Sequence, residues 1–191
     1  MLSQMMTTLN THPPLRIPRV NQYLPGLSYW NVMEHARTNG GYAVMGWNVA
    51  WSPGVLLSAI RHCVWMRQDG TLIDLTAANP ADRGETTFLT LLDQASDVFD
   101  LRFPDSRSNY TQALMEDPQL VEADRLYQRW HSLNLKLTEM LKRMGWMWNP
   151  GNGWYGGTQA AAADMLGQQV LTAQQAFLDM NSLMYDKPPI P

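Results

Sequence analysis

Between residues 120 and 144 the apolar positions Leu120, Ala123, Leu126, Tyr127, Trp130, Leu133, Leu137, Met140, Leu141 and Met144 recur at helical spacing and predict a long amphipathic helix. Residues 158–185 repeat that spacing and predict a second one, and the alanines at 160–163 inside it are strong helix formers. Asn149-Pro150-Gly151-Asn152-Gly153 and Gly156-Gly157 break the pattern between them. The pair therefore reads as a helical hairpin with an aromatic loop at its tip, Trp146, Trp148, Trp154 and Tyr155. Nearer the N-terminus, residues 29–39 hold no Pro or Gly and stop at Gly40-Gly41, which predicts a helix. Three β-rich runs follow at 42–51, 55–66 and 71–76, and predict a small antiparallel sheet. Residues 86–99 predict a short helix among loops marked by Pro80, Pro104 and Pro118. Residues 1–27, with Pro13, Pro14, Pro18 and Pro25 and no sustained period, predict an extended arm.

The resulting expectation is an α+β protein of one domain: an arm at 1–27, a helix-plus-sheet core at 28–77 and a mostly helical part at 78–191. A length of 191 residues suffices for one full core, or a core with a helical appendage. A net charge of -3 speaks against nucleic acid as a partner, because phosphate contacts need a basic surface. No stretch reaches the length of a membrane span, and no basic-then-apolar leader opens the chain. A soluble protein is expected, with cytoplasmic placement and leaderless secretion both open, and no membrane partner. Cys63 is the single cysteine, which excludes an internal disulfide framework and a Cys-rich zinc module.

The stretch from His62 to Thr76 carries the chemistry. Asp69-Gly70 between β-rich runs is a strong hairpin signal. A two-residue turn would put His62 and Asp74 on opposite faces. A three-residue loop closed by Gly70 in the left-handed conformation instead sets Val64 opposite Asp74, with His62 diagonal to it. That second register also collects Cys63, Trp65, Ile73 and Leu75 on one apolar face, so the burial pattern selects it. A His beside a carboxylate is two thirds of a nucleophile-activating triad; the equally plain alternative is a surface His and a turn-flanking Asp. Cys63 cannot serve His62, since adjacent strand residues point to opposite faces, and it reads as a small core residue.

A nucleophile is best placed at the start of a helix, where amide groups favour negative charge, and Ser28 stands there. Gln22 precedes it in Asn21-Gln22-Tyr23-Leu24-Pro25-Gly26-Leu27-Ser28. This Asn-Gln pair and its interval resemble those ahead of the nucleophilic cysteine in papain-like enzymes. The order of helix-borne nucleophile, His on a strand and Asp on the next resembles papain-like and transglutaminase-like thiol enzymes, most closely at His62-Cys63-Val64-Trp65 and Asp74-Leu75-Thr76. The likeness covers residues 20–77. It implies a cofactor-free amide hydrolase or acyltransferase (a deamidase, amidase, protease or transglutaminase) in which His62 is base, Asp74 orients it and Gln22 lines the oxyanion hole. It also implies a protein or peptide substrate, and by analogy a setting such as a bacterial effector or toxin. The departure is serine where the family has cysteine. Ser28 then reads as an engineered replacement, as a native nucleophile or degenerate site, or as a helix N-cap.

Other residues point less far. His35 lies two turns into the first predicted helix, and His131 with Asp124 or Glu139 has no metal-ligand spacing, so no metal is expected. The Gly-Gly pairs fit no phosphate-loop pattern. The alternative to an enzyme is a non-catalytic protein-binding module that uses the loop from Trp146 to Tyr155 and the C-terminal helices as its interface.

Overall fold

The computed structural model describes residues 2–52, 56–77, 84–93, 100–103 and 109–185. The chain divides into two compact units, residues 1–53 with 57–101, and residues 102–191 with 54–56.

The first unit begins with helix α1 (Leu2–Leu9), which buries Met5, and strand β1 (Leu15–Tyr23). Helix α2 (Ser28–Asn39) follows, then strands β2 (Tyr42–Ser52), β3 (Leu56–Met66), β4 (Leu72–Thr76) and β5 (Glu85–Thr90). The expected small antiparallel sheet is not what forms. The five strands are ordered β2-β5-β1-β4-β3, and β3 pairs back with β2, so the sheet closes into a barrel. Its β1 and β4 run parallel, with Arg19 opposite Asp74 and Tyr23 opposite Thr76.

Two misread segments account for the difference. Residues 1–27 were expected as an arm because of their prolines, yet β1 is an inner strand. Pro18 falls at the last pair with β5 (Pro18↔Glu85), just before the first pair with β4 (Arg19↔Asp74), where its missing N–H breaks no ladder. Residues 86–90 were expected to start a helix but belong to β5, whose β-branched and aromatic residues Thr86, Thr87 and Phe88 suit a pleated surface. Of the rest of that expected helix, 91–93 are not helical, Leu91 bridging to Thr11, and 94–99 lie outside the described residues, as do Pro80 and Pro104.

Period-two alternation sorts the barrel's side chains. Ile17, Val44, Val64 and Phe88 form one buried cluster, with Met66 and Leu72 packed against it. This is the inward face. Arg19, His62, Asp74 and Thr86 share its parity and are also buried. The outward face of β3 and β4 meets α2, which buries Tyr29, Val32 and His35. Trp65 Nε1 donates to Gly40 O at 2.9 Å and its ring sits edge-on to His35 at 4.5 Å. Gly41, at φ 83°, is required there: a Cβ would lie 2.4 Å from Met66 O.

The second unit holds strand β6 (Tyr110–Ala113), helix α3 (Pro118–Arg143), strands β7 (Trp146–Asn149) and β8 (Gly153–Gly156), and helix α4 (Ala161–Tyr185). The predicted helical hairpin is present, α3 packing along α4. Asp117 caps α3 by accepting the Gln119 N–H at 2.8 Å. The aromatic loop is itself a two-stranded hairpin with Trp148 opposite Trp154. A groove of about 500 Å³ runs beside it, walled by Leu137, Leu141, Trp146, Trp154, Val170 and Leu171.

Candidate active site

The β3–β4 hairpin adopts the register chosen by the burial pattern. Trp65 pairs with Ile73 and Met66 with Leu72, and Gly70 closes the loop at φ 84°. His62 and Asp74 are thereby brought together, Nε2 lying 3.0 Å from Oδ2. The 3.0 Å approach is a close contact that does not meet hydrogen-bond geometry. Cys63 is wholly buried on the other face, as its parity requires.

Asp74 is anchored by groups from three strands, β1, β4 and β5. Its Oδ2 takes Arg19 Nε at 3.1 Å and the Thr86 hydroxyl, and its Oδ1 accepts the Thr76 N–H at 2.9 Å. Burial pushes the Asp74 carboxyl up, but the contact with His62 and its charge, the Thr86 hydroxyl and the Thr76 N–H together bring it down to about 2. The carboxylate is ionised at any working pH. Neither Arg19 nor Thr86 was singled out from sequence. Alternation along β1 would have turned Arg19 inward, but the proline pattern hid that strand.

Ser28 is the first residue of α2, and Leu27 occupies the N-cap position with no side-chain cap bond. The N-cap reading of Ser28 is therefore set aside. Its buried hydroxyl accepts the Cys63 N–H at 3.3 Å, where the β3–β4 pairing has already ended at Trp65↔Ile73. Ser28 thus lies at the open seam of the hairpin, against the peptide that joins His62 to Cys63. Among the described residues no hydrogen bond links it to the imidazole itself.

The exposed Gln22 amide donates to Tyr23 Oη at 3.3 Å and makes no hydrogen bond to Ser28 among the described residues. Tyr23 Oη in turn lies 2.9 Å from His35 Nδ1, with Asn39 Nδ2 at 3.4 Å from the same nitrogen. These side chains tie the end of β1 to α2, two turns from Ser28. In the second unit His131 stacks on Tyr127, Glu139 pairs with Lys142 at 2.9 Å, and Asp124 accepts the Thr111 hydroxyl. Among the described residues no group of three His, Cys, Asp or Glu side chains could hold a metal ion, and no helix is long and apolar enough to cross a membrane.

No family model, no curated protein and no solved structure matches this chain.

Proposed function

We propose that the barrel and α2 carry an amide acyl-transfer site of the thiol-hydrolase type, with Ser28 in the nucleophile's place, His62 as base and Asp74 as the orienting carboxylate. One observation carries the reading: His62 Nε2 lies 3.0 Å from Asp74 Oδ2 while the hydroxyl that opens α2 abuts the peptide between His62 and Cys63. With Nε2 beside Asp74, Nδ1 is the nitrogen left to take the proton of the attacking group, and because His62 faces inward while α2 lies on the outward face, the two meet through the seam that Ser28 occupies. The nucleophile bonds to the carbonyl carbon of a carboxamide, and its proton passes to His62 and then to the departing amine. Water or a second amine next accepts the acyl group. The amides of α2's first turn are the donors for the oxyanion, in place of Gln22.

A serine hydroxyl is far less acidic than a thiol, so the site works slowly as it stands. The test is the pH dependence of alkylation in Ser28→Cys. Half-maximal alkylation is expected well below the ordinary thiol value of about 8.5, and the rate near neutral pH should fall at least about tenfold in His62→Gln. A normal thiol indifferent to His62 would overturn the reading. A second reading would then lead, a non-catalytic protein-binding module. It is favoured by the half-buried indoles of Trp146 and Trp154, which line an apolar groove.

A further inference from the structure

We infer that the groove of the second unit binds a small organic cation, an apolar body carrying a protonated amine, with the body beside the indoles of Trp146 and Trp154 and the amine at Asp164. The site is built only from residues of the second unit and stands whether or not acyl transfer occurs at position 28.

The groove keeps its shape through its own walls. Its volume of about 500 Å³ falls in the range of small-molecule sites. Trp146 is fixed by its own loop: Nε1 donates to Thr158 O at 2.8 Å, and the ring lies so near the Gly157 backbone that a Cβ there would come within 2.3 Å of Trp146 Cδ1. The Thr158 N–H donates in turn to Met144 O at 3.1 Å, tying this turn to the end of α3. Trp154 leans on Phe103, the ring centroids 6.4 Å apart. Both indoles are thus placed by protein contacts before anything enters the groove.

On the α4 side the wall contains Gly167, one turn after Asp164 and one turn before Leu171, on the face that lines the groove. Glycine inside a helix is destabilising relative to alanine, and close helix packing is a common reason to keep it. That reason is absent, because a Cβ on Gly167 would meet no atom within 4 Å. What the glycine supplies is room in the groove.

Charge then selects the occupant. Among the described residues Asp164 is the one charged side chain lining the groove, and no Lys, Arg or His occurs in α4. Lys142, near the end of α3, pairs with Glu139 at 2.9 Å and lies over the Phe103 ring at 4.7 Å. An acid in a helix's first turn also suits the positive end of the helix dipole, but that role calls for no cavity beside it. Indole rings attract a cation through their quadrupole and the carboxylate attracts it through its charge, while the apolar walls take the body of the ligand. An anion of the same shape is repelled.

The experiment measures dissociation constants of three compounds of one shape, 4-phenylbutylamine, 4-phenylbutanol and 4-phenylbutyrate, for the full chain at neutral pH by ligand-observed NMR titration. The amine should bind at least about threefold more tightly than the alcohol, with the carboxylate weakest. Asp164→Asn, an exposed change, should cut the amine's advantage over the carboxylate at least about threefold and leave the alcohol within about twofold of its original affinity. Gly167→Leu places a better helix former in the open space and should weaken all three at least about tenfold, with the fold verified by circular dichroism. If that variant misfolds, Asp164→Asn decides the matter. Equal affinity for the three compounds would overturn the inference, as would an amine bound as tightly by a folded Gly167→Leu protein or no binding of the amine at millimolar concentration. None of these measurements involves Ser28 or His62, so failure here and failure of the acyl-transfer reading are told apart.

Discussion

Asp74 shows how much one buried carboxylate can hold. Its carboxyl is lowered from 3.8 to about 2 in the folded chain, so between those values the unfolded chain binds more protons than the native one. The associated stability is complete above pH 4 and is lost as pH falls toward 2. It amounts to about 2 kcal/mol. Urea midpoints measured from pH 6 to pH 2 should fall steeply below pH 4 in the natural chain and much less in Asp74→Asn. Equal acid slopes would show that another group carries the effect. Cys63, fully buried and on the outward face beneath α2, should label with iodoacetamide only after denaturation. The pairing of His62 with Asp74 was legible because it follows from parity and one turn residue. Arg19 was not, because its role depends on a strand partner fifty-five positions away.

At the level of elements, local signals carried α2, the β3–β4 hairpin and the α3–α4 pair, since each is settled by periodicity or by a neighbouring turn. They failed for β1 and β5. Proline at 18 and the tail of residues 86–99 outweighed short runs whose pairing partners lie far along the chain. Two glycines give a contrast that checks the packing. A Cβ on Gly46 would lie 2.2 Å from Leu89 O and 2.5 Å from the Phe88 ring, where β2 pairs with β5. Gly46→Ala should cost about 1–3 kcal/mol or more. Gly167, inside α4, has nothing within 4 Å of that position, so Gly167→Ala should stabilise by up to about 1 kcal/mol. Thermal melts of the two variants should move in opposite directions; a shift of the same sign in both would refute the described packing at one of the sites.

For the whole molecule, barrel closure is the property least written in the sequence. It depends on β1 joining β4 in parallel and on β3 returning to β2, and no local pattern specifies either pairing. Closure nevertheless makes the site, because it puts Arg19, Asp74, His62 and Thr86 on one interior face with a shared carboxylate. The groove beside the Trp-rich hairpin belongs to the second unit and to the binding-module reading. The central claim is that position 28 is a nucleophile's seat served by His62. It is tested most directly by mixing the Ser28→Cys protein with p-nitrophenyl acetate and locating the acetyl group by peptide mass. A burst of about one nitrophenolate per chain is predicted, with the acetyl group at position 28 and the burst rate at least about tenfold lower in His62→Gln. Acetylation confined to lysines, or a burst unaffected by His62→Gln, would contradict the account.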